Sequence, residues 1–409
     1  MNPSPRLFTG TGRLLTPEPF DGELPWAIRA ESGRFSWVGP AAEVTEWDRV
    51  VDLGDALVTP GLVDAHTHPV YAGDRADEAA ARLAGAHYDG GGILRSVAAT
   101  RAAGDAQLEA LVERRLLAQL AAGTTTVEAK SGYGLSTEEE LRALRLLSRV
   151  SGRVPVRVVR TFLGAHAMPA DDPGYVDRVV DEMLPAVSAE GLADFCDVFC
   201  DAGFFSTADA ERILRAAAVL GLGIRMHADQ LSRTGAAELA TRLGAASADH
   251  LEQLDEAGVA ALAASATVAT LLPGPAVVMR DRLPPARALL DAGATVALAS
   301  DANAGTFGAW GAMPLVIGLG ATLLGMSVAE AVEAATRAGA AALGLAGRRG
   351  VIGPGADADL VAWDADHEGA FALRLGAVRA LRVFIGGVEV IGQAAGAPII
   401  PAQWTDTTL

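Results

Sequence analysis

Two histidines one residue apart mark the first place in this chain where chemistry is expected. His66 and His68 lie in the segment DAHTHPV, at the end of the apolar run ALVTPGLVDAHTHPV, and the whole chain has only seven histidines. Side chains two apart in a strand point to the same face, so the two imidazoles would project side by side. Such a pair predicts a metal-binding site.

The elements that must position this pair form a repeating pattern. Short β-like runs alternate with helical stretches rich in Ala, Leu, Glu and Arg, such as 137–150 and 206–219, where Ser206 can cap the helix. Eight such runs are found, at 61–66, 123–129, 156–163, 195–200, 222–227, 245–250, 266–271 and 294–300. Eight βα units predict an α/β fold of the TIM (β/α)8 barrel type. A doubly wound sheet is the alternative, since periodicity alone does not show closure.

Both ends of the chain carry a different pattern. β-forming segments such as WAIRAESGRFSWVGP and AVRALRVFIGGVEVIG are broken by Gly, Pro and Asp, and neither end is long enough for a core of its own. We therefore expect residues 1–60 and 354–409 to pair into one small β-sandwich domain. Residues 61–353 are then the barrel.

Further polar residues fall at the ends of the predicted strands. His166 follows the third strand, His227 and His250 end the fifth and sixth, and Asp301 follows the eighth. A TIM barrel has its chemistry at the C-terminal ends of its strands, so these side chains should meet there. Imidazole nitrogen and carboxylate oxygen suit zinc or Fe(II).

We predict that His66, His68, His227 and Asp301 hold the metal. His250 could be a further ligand, a partner of a ligand, or an acid and base beside the metal, and we favour the last. With no cysteine at these strand ends, the site is not a closed structural zinc site, and an open position would hold a water whose pKa falls to about 7.

Composition excludes some classes of partner. The formal net charge of −17 argues against nucleic acid and anionic membranes. The longest apolar run, MPLVIGLGATLLGM, is too short to span a bilayer, and the start of the chain has no apolar signal core. Two cysteines on one face of a predicted strand, in DFCDVFC, fit a reducing compartment. We expect a soluble, cytoplasmic protein.

Several longer segments resemble one family. PGLVDAHTHPVYAGDRADE, TTTVEAKSGYGL, TFLGAHAMP, MHADQLSRTGAAELA, SADHLEQL and SDANAGT are similar to the imidazolonepropionases of the amidohydrolase superfamily, from about residue 50 to the end. The resemblance implies hydrolysis of 4-imidazolone-5-propanoate to N-formimidoyl-L-glutamate in histidine catabolism, the metal ligands named above, and a homodimer. Two-metal members of the superfamily commonly use a modified lysine at the end of strand four, where this chain reads DVFCDAGFFS. We therefore expect a single divalent ion, with Lys130 on strand two.

The resemblance also implies roles for individual residues. Arg75 in GDRADE would bind the propanoate carboxylate, because a guanidinium pairs with a carboxylate through two hydrogen bonds. It would supply the local positive charge that an acidic chain needs for an anionic substrate. The alternative for Arg75 is a surface ion pair with Asp74 or Asp77.

Other positions match substrate contacts of the family, although the tyrosines could instead pack in the core; these are Tyr88, Tyr133, His166, Asn303, Gly305 and Thr306. Gln230 would orient the ring by hydrogen bonds, because an amide carries no titratable proton. Asp301 would act as general base, with His250 polarising the carbonyl or stabilising the oxyanion. Which of the two protonates the leaving nitrogen is left open.

Two other functions are weighed against this one. A deaminase of the same superfamily, acting on a nucleobase or another heterocycle, would share the ligand set but release ammonia. A binding or scaffold protein on an inherited barrel would be expected to have lost at least one residue of the cluster. Metal analysis separates the scaffold from both enzymes.

Overall fold

Sixteen strands form three sheets in the computed structural model, which describes residues 5–16, 24–47, 49–85 and 92–392. The strands are β1 (Arg6–Gly10), β2 (Trp26–Glu31), β3 (Arg34–Pro40), β4 (Val50–Asp52), β5 (Val58–Pro60), β6 (Leu62–Asp64), β7 (Thr124–Lys130), β8 (Arg157–Ala165), β9 (Phe195–Cys200), β10 (Gly223–Ala228), β11 (Ser247–His250), β12 (Val268–Leu271), β13 (Val296–Leu298), β14 (Leu360–Trp363), β15 (Ala380–Ile385) and β16 (Val388–Ile391).

Helices follow most of the strands of the central sheet. They are α1 (Ala76–Leu83), α2 (Gly92–Ala102), α3 (Asp105–Ala121), α4 (Thr137–Ser151), α5 (Tyr175–Arg178), α6 (Leu184–Ala189), α7 (Thr207–Val219), α8 (Ala236–Leu243), α9 (Glu256–Ala263), α10 (Pro273–Met279), α11 (Ala286–Asp291), α12 (Met313–Leu323), α13 (Val328–Glu333), α14 (Gly339–Ala342) and α15 (Ala370–Leu373). Short 3-10 and π turns lie at Ala41–Glu43, Val179–Met183 and Ala334–Ala338. None of the described helices is long and apolar enough to cross a membrane.

The central sheet is a parallel barrel. Its strands run in the order β6 to β13, each bonded to its sequence neighbours. The two ends of the sheet meet just beyond the last residues of β6 and β13, where Asp301 N donates to His66 O at 3.0 Å and His68 N donates to Ala302 O at 3.0 Å. The predicted α/β barrel is therefore confirmed, because an open doubly wound sheet would leave these two edges apart.

All eight predicted barrel strands are present, with shorter ends in places. Helix α7 begins as predicted, because the Ser206 side chain accepts from Asp209 N while the Asp209 carboxylate accepts from Ser206 N. The first strand differs most: β6 ends at Asp64, so His66 and His68 follow the strand instead of lying within it. They remain ordered because Thr67 between them bridges to Ala302.

The other two sheets pack together from both ends of the chain. One has the order β3-β2-β1-β4 and the other β16-β15-β14-β5. Phe8 and Phe384 meet between them edge to face at 5.0 Å, in a core that also contains Trp26 and Val58. The small β domain built from both termini is thus observed, while its division from the barrel at residues 60 and 354 stays a prediction.

Candidate active site

Four imidazoles and one carboxylate converge at the C-terminal ends of the barrel strands. His66 Nε2 lies 3.2 Å from His68 Nε2 and 3.7 Å from Asp301 Oδ1, and His68 Nε2 lies 3.3 Å from the same oxygen. The ring of His227 packs 4.5 Å from that of His66, and His250 lies 5.3 Å from His227, centroid to centroid. Strands far apart in sequence thus meet at one point.

This cluster has the donors for a metal ion. Its ligand atoms form two overlapping groups that share His66, one with His227 and His250 and one with His68 and Asp301, and within each group the atoms lie within 4.8 Å of one another. Asp301 Oδ1 is buried, and no donor among the described residues meets it with hydrogen-bond geometry. An orphaned carboxylate oxygen facing two imidazole nitrogens fits a divalent cation, which takes both ligand types.

Carboxylates lie behind two of the histidines. Asp249 Oδ2 lies 2.7 Å from His66 Nδ1, and because a carboxylate can only accept, Nδ1 carries the proton and Nε2 its lone pair. Asp197 accepts from the backbone N of His227 through Oδ1, and its Oδ2 lies 3.0 Å from His227 Nδ1 without the geometry of a hydrogen bond. Burial, with Lys130 and the neighbouring imidazoles, lowers the pKa of His66 well below its usual value. Neutral imidazole is the form that binds metal.

The pKa values of Asp301 and His250 each shift in the direction opposite to the one that burial alone would give. Burial tends to raise the pKa of Asp301, but the imidazoles of His68, His250 and His227 outweigh it and lower the pKa. Burial tends to lower the pKa of His250, but Glu252 and Asp301 raise it overall. Both residues have left-handed backbone, with φ of 48° at Asp301 and 83° at His250. Strain of this kind at non-glycine residues is concentrated at functional sites.

A pocket opens beside the cluster. It is lined by His68, Arg75, Ile93, Tyr133, His166, Phe199, His227, Gln230, His250, Asp301, Asn303 and Thr306. His166 Nδ1 lies 2.9 Å from Gly132 O, so Nδ1 donates and Nε2 is left as an acceptor. Burial raises the pKa of Tyr133, which keeps its phenol protonated and able to donate. The pocket therefore offers both hydrogen-bond donors and acceptors to a ligand.

Arg75 is a buried residue of this pocket and not a surface ion pair. Its Nε and Nη2 donate to the two oxygens of Glu78 at 2.9 and 2.7 Å, since residue 78 lies one turn along α1. Arg82 donates to the same carboxylate at 2.8 Å. Asp77 pairs instead with Arg95 on the surface. Two guanidiniums therefore share the Glu78 carboxylate beside the pocket.

The loop after β13 contains three other residues that the sequence predicts to contact substrate. The Asn303 side chain folds the loop, donating to Asp301 O and Thr306 Oγ1 and accepting from Gly305 N and Thr306 N, all at 2.7–2.9 Å. Gly305 lies against Arg75, where an added Cβ would be 2.1 Å from Cζ. Thr306 and Asn303 line the pocket, whereas Gly305 makes room for Arg75. Tyr88 lies outside the described residues.

The chain is similar to known proteins over most of its length. Residues 71–391 match the amidohydrolase family. An imidazolonepropionase of Rhizorhabdus wittichii is 45% identical over 85% of this chain and 90% of its own length, and one of a Polaromonas species is 43% identical over 95% of both. The chain belongs to the imidazolonepropionase family of amidohydrolases.

A solved structure shares the fold of this imidazolonepropionase-family chain at lower identity. A zinc-bound adenosine deaminase from Xanthomonas campestris is 21% identical over 99% of this chain and 98% of its own, with a TM-score of 0.72. At that identity the likeness concerns the fold, which is the barrel with its terminal β domain.

Sequence reasoning missed the charged residues that hold the site together. They are Glu78, Glu128, Glu140, Asp197, Arg225, Asp249 and Glu252, and all except Glu140 and Asp197 lie within or next to the family motifs. A signal was available for those on strands, because a charged residue inside a strand that is buried on both faces needs a partner within the barrel.

Proposed function

We propose that this protein hydrolyses 4-imidazolone-5-propanoate, opening the five-membered ring at an amide C–N bond to give N-formimidoyl-L-glutamate in histidine degradation. The observation that carries the proposal is the identity of 43–45% with proteins named imidazolonepropionase over most of the chain. The site supports it by placing a guanidinium in one pocket with the histidine and aspartate cluster. The substrate is then a small heterocycle with an anionic arm.

We infer that His66, His68, His227 and Asp301 hold one divalent cation, Zn²⁺ or Fe²⁺. When bound, such a cation supplies Lewis-acid activation of a water molecule and of the ring carbonyl. The chain contributes buried imidazoles, and burial lowers the pKa of His66 and of His227, which favours the neutral form that binds metal. His250 acts beside this set as an acid and base.

Asp301 and His250 divide the proton transfers. Asp301 accepts the proton of the attacking water, because its carboxylate is held ionised by the surrounding imidazoles. His250 Nε2 lies 4.0 Å from Asp301 Oδ2 and donates to the ring carbonyl as negative charge develops there. This pair also supplies the proton for the leaving ring nitrogen.

The remaining pocket residues orient the substrate. Arg75 receives the propanoate carboxylate, with its guanidinium plane fixed by Glu78. Tyr133, His166 and Gln230 hydrogen-bond the ring. Asn303, Gly305 and Thr306 shape the wall on which Arg75 rests, and a contact from Tyr88 stays a prediction.

The experiment is a spectrophotometric assay of imidazolone disappearance with metal-loaded protein. His227→Ala should lose both metal and turnover, whereas Arg75→Ala should raise KM while the metal content stays normal. Unchanged absorbance with a full complement of metal would reject the substrate. Ammonia release from a nucleobase in the same preparation would favour the deaminase, since ring opening releases none.

Two further expectations concern the protein in its cell. A homodimer stays a prediction, which sedimentation velocity at micromolar protein concentration tests directly. A cytoplasmic location also stays a prediction and fits a small catabolic substrate.

A further inference from the structure

A cluster of buried charges lies inside the barrel, behind the candidate metal centre. Five ionisable side chains with no exposed surface project from four of the barrel strands; they are Glu128 and Lys130 on β7, Asp197 on β9, Arg225 on β10 and Asp249 on β11. Burying a charge is costly unless it is paired, so each of these residues must be held by another. The ion pairs of Lys130 connect it to residues that contact the candidate metal ligands.

Lys130 reaches His227 through one carboxylate. Its Nζ donates to Asp197 Oδ2 at 2.8 Å. Asp197 in turn accepts from the backbone N of His227 through Oδ1 at 3.1 Å and faces His227 Nδ1 through Oδ2 at 3.0 Å. The ammonium therefore fixes the carboxylate that binds the backbone of His227 and lies beside its imidazole ring.

Lys130 reaches the first two histidines through another carboxylate. Its Nζ donates to Glu128 Oε1 at 2.7 Å, and Glu128 Oε2 accepts from Thr67 N at 3.1 Å. The backbone N of Lys130 also donates to Thr67 O at 3.0 Å. Thr67 lies between His66 and His68. The Lys130 side chain is therefore connected through Glu128 to the segment that carries these two histidines, and through Asp197 to His227.

The residue type at this position is unusual for the chain. Lys130 is the single lysine among 33 basic residues, and all the others are arginines. An ammonium is a compact charge that can donate to two carboxylates in different directions, whereas a guanidinium needs room for a planar fork. Burial tends to lower the pKa of Lys130, but Asp197 and Glu128 raise it overall, so the group stays charged.

We propose that Lys130 is a positioning residue of the metal centre, which holds His227 through Asp197 and the His66 to His68 segment through Glu128. It touches neither metal nor substrate. The inference rests on the metal site of the proposed function, but not on the identity of the substrate. Removal of the ammonium should therefore loosen the metal without altering the pocket that binds the substrate.

Zinc retention against a competing chelator tests the proposal. Purified protein is loaded with Zn²⁺, equilibrated with increasing chelator, and its remaining zinc is measured. Lys130→Met should raise the dissociation constant for Zn²⁺ by about 10–100-fold. Arg349→Met is the matched control, because Arg349 also bridges two carboxylates, Asp357 and Asp359, away from the site. Its zinc affinity should stay within about twofold of the parent protein.

A second measurement needs no variant and covers the case in which Lys130→Met does not fold. Growth on lysine labelled with ¹⁵N at Nζ gives a single side-chain signal, since the chain has one lysine. That signal should exchange slowly with water and should shift when Zn²⁺ is removed. A signal that is insensitive to zinc, or zinc retention in Lys130→Met equal to that of the parent, would overturn the inference. Zinc retention in a parent protein without imidazolone turnover would count against the proposed function alone.

Discussion

Gly305 offers a sharp test of how Arg75 is positioned. A Cβ added at residue 305 would lie 2.1 Å from Arg75 Cζ, 2.4 Å from Nη1 and 2.5 Å from Nε. The backbone of Gly305 is not left-handed, so alanine is permitted there and the change acts only by steric contact. The guanidinium cannot simply swing aside, because Glu78 binds it at two atoms and Arg82 donates to both Glu78 and Gly305 O.

The size of the effect follows from these distances. Carbon contacts of about 3.5 Å or more are the normal limit, so the guanidinium must move by about 1 Å or more. A shift of that size breaks the charge-assisted pairing that orients the group, which is worth about 1.5–3 kcal/mol. Since each 1.4 kcal/mol is about a tenfold change, KM should rise about 10–100-fold in Gly305→Ala.

Steady-state kinetics with imidazolonepropionate measures this change directly, with zinc content and the melting temperature recorded for each variant. Gly308→Ala in the same loop is the control, because its Cβ would approach no atom closer than Asn303 O at 3.8 Å. Gly305→Ala should add nothing to KM when Arg75 is already alanine. A folded Gly305→Ala protein with the KM of its parent would refute the reasoning.

Three further outcomes are expected. Glu140→Gln should lower the free energy of unfolding by about 1–3 kcal/mol and raise KM. The Glu140 carboxylate accepts from three backbone N–H groups in the loop that carries Tyr133, and an amide cannot accept from all of them. Chemical denaturation and steady-state kinetics measure the two effects. Burial raises the pKa of Asp64 from 3.8 to about 7, so its contribution to stability is complete below pH 3.8 and is lost as pH rises through 7. Asp64→Asn should therefore reduce the pH-dependent change in the free energy of unfolding by on the order of 4 kcal/mol. The measurement is made on chelator-treated protein. Cys196 and Cys200 are buried, and burial raises the pKa of Cys200 to about 12, so a thiol reagent at pH 8 should label both only after denaturation.

The fold could be predicted from sequence because barrel strands are buried on both faces and read as apolar runs between helices. All eight were located, and Ser206 was identified as a cap from its local pattern. The pattern predicts a first strand that extends to His66, whereas β6 ends at Asp64, before the residues from Ala65 to His68. What holds them is pairing with the segment around Ala302, a contact between distant parts of the chain that no local pattern encodes.

The convergence of the histidines and Asp301 could be predicted for a related reason. Histidines and an aspartate at strand ends are conspicuous in a chain with few histidines, and barrel geometry brings strand ends together. The sequence suggests Asp74 or Asp77 as an ion-pair partner of Arg75, whereas Glu78 binds it, because α1 begins at residue 76 and residue 78 lies one turn further on. The resemblance assigns Asn303 to a substrate contact, whereas in the structure its amide bonds to its own loop, and no local sequence pattern distinguishes the two.

The metal-binding side and the substrate-binding side of the site are held by different groups of residues. Loss of metal and loss of substrate affinity can therefore be measured separately. The metal side is fixed from inside the barrel by charges on strands, such as Lys130 and Asp197. The substrate side is fixed by carboxylates and amides that fold the surrounding loops, such as Glu78 and Glu140. Strand interiors are the more rigid scaffold, whereas loops are where specificity varies. Changes among the buried strand charges should therefore appear first as metal loss, and changes among the loop carboxylates as a higher KM with normal metal content.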